Sequence, residues 1–148
     1  MSYKVIDIAN KLIAMAQKDE PNGGELLTNM KLQKLLYYQQ GYHLAEFDKP
    51  LFNEPVEAWI YGPVVPVAYD FFKSNGQSGL EFNSECISLN DNEEKLFGQV
   101  FEAFRDFSAI GLMNKSHEES PWIESTPHRR GTIISQEKIK NFFKKQLE

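Results

Sequence analysis

The chain is short of the residues that most often mark chemistry. It has a single cysteine, Cys86, so an internal disulfide is excluded and a reducing compartment fits. Cys86 lies in SECIS, without the context of an activated nucleophile, and a small buried hydrophobe is expected there. Only three histidines occur, His43, His117 and His128. The His117-Glu118-Glu119 sequence lacks HExxH spacing, and His43 is expected to sit half-buried on a helix, so no metal and no cofactor are expected. No apolar run approaches the ~18 residues of a membrane span. The most apolar stretch, 56–72, contains Glu57, Pro63, Pro66 and Asp70. Asp7 inside the first apolar segment argues against a secretory leader.

Phosphate-binding and nucleophile-elbow patterns are also missing. PNGGELLT at 21–28 has two glycines but no GxxxxGK[ST], and GQSG at 76–79 reads as a loop. Positive charge is scarce: 16 Lys and Arg against 21 Asp and Glu give −5, which disfavours broad binding to a phosphate backbone. HRR at 128–130 reads as a solvated turn. The expectation is a cytoplasmic protein, and not an enzyme. The competing hydrolase reading requires His117 to meet a second titratable group within hydrogen-bond reach.

What the chain does have is helical periodicity and aromatic bulk, with 11 Phe, 6 Tyr and 2 Trp. Val5, Ile8, Ala9, Leu12, Ile13 and Ala16 recur at three and four, which predicts a helix over 3–18, followed by a loop at Pro21–Gly24. The run from Thr28 to Ala45 is the longest helical segment, with Thr28 as N-cap. Its apolar stripe is read as Leu32, Leu35, Leu36, Gln39, Tyr42 and His43, with Lys31, Lys34 and Tyr38 on the flank, free to reach a partner. Gly41 inside this helix costs about 1 kcal/mol against Ala and hints at a closely packed neighbour.

Asp48–Pro50 breaks the helix, and Leu51 and Phe52 return to the core. Residues 56–61 read as extended, Gly62-Pro63 as a turn, and Pro66 as the first residue of a helix that stops at Asn75-Gly76. Residues 77–89 read as a short hairpin or irregular loop. Asn90 and Glu93 form a capping-box pattern before the stripe Leu96, Phe97, Val100, Phe101 and Phe104. A short helix follows at 109–115, then a loop over 116–132. A last helix begins after Ser135, with Ile134 and Ile139 spaced as a hydrophobic staple and Ile139, Phe142 and Phe143 as its docking face. Trp122, in a polar loop, either folds back on the core, the favoured reading, or anchors a partner. The fold class expected is mostly α: one compact helical bundle of five to six helices over 1–148, with a small extended or hairpin element.

Four pieces then carry a resemblance: MKLQKLLYY at 30–38, PLFNEPVEAWIYGPVVPVAY at 50–69, SHEESPW at 116–122 and IISQEKIKNFF at 133–143. Together they closely resemble the Panacea antitoxin domain, the SocA-like or GepA-like phage-associated family. The resemblance implies a small helical domain acting as the antitoxin of a type II-like toxin–antitoxin pair. The partner implied is a cognate toxin encoded by a neighbouring gene, often in a prophage or mobile element, and neutralised by direct binding. One branch of the family instead delivers its toxin to a bacterial AAA+ protease. The additional helix-turn-helix of some members does not fit in this chain, so DNA binding by this chain alone is not expected. Carried over residue by residue, the mainly structural motif positions are Leu32, Gln33, Leu35 and Tyr37, then Glu57, Trp59, Gly62, Pro63, Val64 and Pro66, then His117, Ser120 and Pro121. The partner-binding candidates are Lys31, Lys34, Tyr38, Tyr61 and Trp122.

Overall fold

In a computed structural model, the residues described are 2–19, 26–76 and 78–147. The loop expected at Pro21–Gly24 and Gln77 of GQSG lie outside them. The first helix, α1 (Val5–Asp19), buries all six of its periodic apolar residues. The second, α2 (Asn29–Phe47), is the centre of the molecule. It starts where the Thr28 hydroxyl accepts from the Lys31 amide at 3.3 Å and ends at Asp48, whose φ of 57° is left-handed.

Fourteen of the 19 residues of α2 are buried, and among them are Gln33, Lys34, Gln39, Gln40 and His43. The single-stripe expectation is therefore corrected. The helix is covered on every side, by α1, by α3 (Pro66–Phe72), α4 (Asp91–Phe104), α5 (Ala109–Ser116) and α7 (Gln136–Leu147), and by the strand β2 (Gly62–Val64). A helix surrounded in this way must satisfy its polar side chains against its neighbours. Gln33 accepts from the Val65 amide at 3.0 Å and donates to Asn29, which donates to the Tyr69 carbonyl. Gln39 donates to the Phe97 carbonyl at 3.0 Å. Gln40 donates to the Phe52 carbonyl at 2.7 Å and accepts from the Leu51 amide at 2.8 Å. These glutamines fix the irregular segments to the bundle. Gln40→Leu, which strands the Phe52 carbonyl and the Leu51 and Phe52 amides, is expected to cost about 2–4 kcal/mol, measured by urea denaturation.

His43 is buried at 2% exposure, not half-buried as expected. Its Nδ1 lies 2.7 Å from the Lys49 carbonyl and its Nε2 2.6 Å from Glu93, which also accepts from the Tyr3 hydroxyl at 2.6 Å. Burial pushes the Glu93 carboxyl up, but the Tyr3 and His43 bonds outweigh it and hold the group below its ordinary value. Glu93 also completes the capping box with Asn90 at the start of α4.

The ends of the elements follow the sequence closely. Pro66 opens α3, and Gly76, at φ 58°, follows a 3-10 turn over Lys73–Asn75. Ser135 accepts from the Lys138 amide at the start of α7, with Ile134 and Ile139 both buried. The Phe143 ring fills the space over Gly41, where a Cβ would stand 2.3 Å from Cδ2 of that ring.

The extended element is a three-stranded antiparallel sheet in the order β2–β1–β3, with β1 Val56–Trp59 and β3 Ile133–Ile134. Trp59 pairs with Gly62, so Ile60 and Tyr61 form the two-residue turn. Gly62-Pro63, expected as the turn, instead belongs to β2. Pro63 is tolerated there because β2 is an edge strand. The described residues of 77–89 contain no strand. One helical turn, α6 (Ser120–Ile123), lies within the stretch expected to be loop, which makes seven helices among the described residues. Cys86 is half-exposed, not a core residue. No described helix is long and apolar enough to cross a membrane.

Candidate functional site

Three of the sequence motifs meet at the β1–β2 hairpin. Its turn residues, Ile60 and Tyr61, are 63% and 62% exposed. The strands behind them are held from several directions. Trp122 of α6 donates Nε1–H to the Trp59 carbonyl at 2.7 Å. The Trp122 ring is stacked between His117, at 3.9 Å, and His128, at 3.5 Å. His128 bonds through Nε2 to the Trp122 carbonyl, and His117 is hydrogen-bonded to the Ile60 backbone. Trp59 packs edge-on against Tyr69 and donates Nε1–H to Glu57, which also accepts from the Gly131 amide at 2.7 Å. Arg130 lies over the Trp59 ring at 5.2 Å and forms a two-pronged pair with Asp70. HRR is thus partly engaged and is not only the solvated turn expected from its sequence.

Beneath this face, Glu119 is buried at 5% exposure and accepts from the Tyr37 hydroxyl at 3.1 Å and from the Tyr38 hydroxyl at 3.1 Å, with Lys115 3.7 Å away. Burial raises the Glu119 carboxyl, against the pull of Tyr38, Lys115 and Tyr37. Burial, followed by the adjacent Glu119 charge, raises both tyrosines above their ordinary value. The KLLYY and HEESPW segments are therefore hydrogen-bonding partners, far apart in sequence and adjacent in space.

The partner-binding candidates divide sharply. Tyr61 is exposed. Trp122 is half-buried and packed against the core, as the favoured reading expects. Lys34 and Tyr38 are 1% and 0% exposed, which corrects their placement on an open flank: α2 has no open flank at those positions. Lys31 is half-buried and donates to the Arg105 carbonyl at 2.6 Å, a cation at the C-terminal end of α4. Of the remaining motif residues, Leu32, Leu35 and Val64 are core, Pro121 is buried, Pro66 starts α3 and Ser120 starts α6. Sequence reasoning missed Ile60, Asp70 and Arg130; their positions depend on the hairpin register and on contacts across 60 residues.

Lys34 stands apart. Among the described residues its ammonium has no carboxylate or other hydrogen-bonding partner, and burial lowers its pKa to about 8. Its Cε lies 2.7 Å from where a Cβ of Gly62 would stand, and Ser116 Oγ lies 2.9 Å from the same point; Gly62, at φ 108°, leaves the space they use. His117 is nearby. Its basicity is lowered by burial first, against the Ile60 hydrogen bond, and then by the charges of His128 and Lys34. No second titratable group hydrogen-bonds to His117 among the described residues, so the geometry a His117-based hydrolase requires is not formed. No described group of three His, Cys, Asp or Glu is arranged to hold a metal ion.

Fold and site together define a small helical domain built around one buried helix and carrying a braced hairpin with an apolar tip. The chain belongs to the "Antitoxin SocA-like, Panacea domain" family, whose model matches residues 32–123. It is similar to Antitoxin SocA of Caulobacter vibrioides (strain NA1000 / CB15N), 48% identical over 50 residues. That segment is 34% of this chain and 27% of the relative, so the similarity spans about a quarter of the relative's length. No solved structure matches.

Proposed function

We propose that this protein is an antitoxin that neutralises a toxin by direct binding, with the toxin encoded by a neighbouring gene in a prophage or mobile element. Family membership supports the antitoxin role. The observation that carries the binding mode is the hairpin tip. Two-residue turns ordinarily use Asn, Gly or Asp, because these accept the required dihedrals at little cost. Here Ile60 and Tyr61 occupy the turn, with most of their surface in solvent. The strands behind them are braced by Trp122, His117 and Glu57, so little ordering remains to be done on association. An exposed aromatic on a rigid support has the character of an interface anchor.

The test is co-expression with the product of the adjacent gene. Rescue of growth and co-purification of the two proteins are expected. A neighbouring product that is harmless alone, or that stays toxic beside this protein, would sink the antitoxin reading. The double variant Ile60→Asp, Tyr61→Ala is expected to weaken the complex by at least about 30-fold, a loss of about 2 kcal/mol, while keeping its thermal melt. Lys145→Ala, on the outer side of α7, is expected to leave binding unchanged. Unchanged binding by the tip variant would show that the contact lies elsewhere. Toxin half-life, measured in the same cells, separates occlusion from delivery to a AAA+ protease: occlusion leaves it unchanged or longer, and delivery shortens it.

A further inference from the structure

We propose that the outer face of α5 and the hairpin tip form one charge-free docking surface, and that the toxin meets it with an uncharged, apolar hollow. The identity of the occupant rests on the antitoxin reading. Residues 58–69 and 107–114 contain no Asp, Glu, Lys or Arg, in a chain where a quarter of the residues are charged. The first run carries the tip, Ile60 and Tyr61. The second carries Ile110 of α5, which at 61% exposure stands as far into solvent as the tip residues do. One exposed isoleucine is unremarked on any surface, but large apolar side chains gathered on adjoining elements mark a contact.

Several contacts join the two runs. α5 packs directly on β2. At its end, Ser116 Oγ lies 2.9 Å from where a Cβ of Gly62 would stand. The next residue, His117, keeps a helical backbone and stacks on the Trp122 ring at 3.9 Å. Trp122 in turn donates to the carbonyl of Trp59, the residue that enters the turn. Leu112 and Ser116 are the buried residues of α5. Met113, Asn114 and His117 follow Ile110 at three, four and seven residues, so these four share the side turned away from that buried pair. The stripe runs about 10 Å along the helix, from Ile110 to the base of the hairpin. Charged groups that border the two runs are committed or peripheral. Glu57 accepts from Gly131 and Trp59, Asp70 pairs with Arg130, Lys115 pairs with Glu119, and Asp106 is exposed at the start of the second run. Neither sign of charge is offered across the face, and aromatic and aliphatic groups with charge kept to the edge are the composition of an interface centre. Side chains this exposed are knobs, so the complementary shape belongs to the partner. A second copy of this chain does not supply it, because a two-fold contact sets the same patch against itself.

The test uses the full chain and the product of the neighbouring gene, with affinity measured by calorimetry. Ile110→Lys is expected to weaken the complex by about tenfold or more with an unchanged melt, and Ile110→Leu to stay within about threefold. Should Ile110→Lys lower the melt, Asn114→Arg, on the same stripe, is expected to show the loss. Ile133→Lys is the control: Ile133 is 60% exposed on β3, at the opposite edge of the sheet from β2, and affinity is expected to stay within about threefold. Raising sodium chloride from about 50 to about 500 mM is expected to change affinity by less than about threefold, since no charge pairs are screened. A complex that the tip variant weakens but the α5 variants do not, or that Ile133→Lys weakens equally, overturns the shared face. Loss of more than about tenfold in salt overturns the uncharged partner. Sedimentation of the protein alone is expected to show a monomer; a dimer dissolved by Ile110→Lys would give the face to a second copy and overturn the assignment to the toxin. A neighbouring product that never binds removes the antitoxin reading and this inference with it, whereas each of the other outcomes leaves that reading intact.

Discussion

Lys34→Met is expected to stabilise the protein by about 2–3 kcal/mol at neutral pH. Burial lowers the Lys34 pKa from 10.5 to about 8, which corresponds to roughly 3 kcal/mol of folding free energy spent on keeping the ammonium inside. Methionine keeps an unbranched, adaptable stem of similar length and removes the charge. The sign with pH is distinctive. The folded protein releases this proton before the unfolded chain does, so the unfolded state binds more protons between about 8 and 10.5. Wild-type stability should rise across the lower part of that window, and the variant should show no such rise. Above about 10 the opposite effect of Tyr37 and Tyr38 sets in, since the folded state holds their protons and the unfolded state does not. Urea denaturation at several pH values checks this. Equal stability of the two proteins at neutral pH would mean that Lys34 finds a compensating group in solution.

The contact between Gly41 and Phe143 carries the other large effect. Phe143 is 1% exposed and sits edge-on to Tyr37 at 5.4 Å and to Tyr42 at 4.9 Å. Phe143→Ala is expected to cost about 3–5 kcal/mol, the range for emptying a buried aromatic site. Gly41→Ala gains about 1 kcal/mol of helix propensity but drives a methyl into the ring, and a net loss of about 1–2 kcal/mol is expected. The double variant is the discriminating measurement. With the ring gone, the methyl added by Gly41→Ala enters vacated space, so the pair should be less destabilised than the sum of the singles. Strict additivity, measured from denaturation midpoints at constant m-value, would show that the two residues are not in contact.

Much of the fold was legible because its signals are local. Thr28, Asn90 with Glu93, and Ser135 each cap a helix with a hydrogen bond spanning three residues, and the stripes of α1 and α4 need only the helical period. Gly41 announced its close neighbour without naming it. The hairpin was misplaced because its turn uses Ile60 and Tyr61, residues that local turn chemistry does not select. A place where local preference fails is where a functional demand is expected. The stripe on α2 was misread because amphipathic reasoning assumes one wet face, and a helix enclosed on all sides has none.

The four motif segments, the starts of the capped helices and the family were determined by the amino-acid sequence itself, because caps, periods and motifs are written in residues close to one another. Tertiary structure alone decided that Lys34 and Tyr38 are inside and Tyr61 outside, and that Glu119 answers Tyr37 and Tyr38. Burial and pairing depend on which segments return from far along the chain to cover a residue, and no stretch of sequence carries that information by itself.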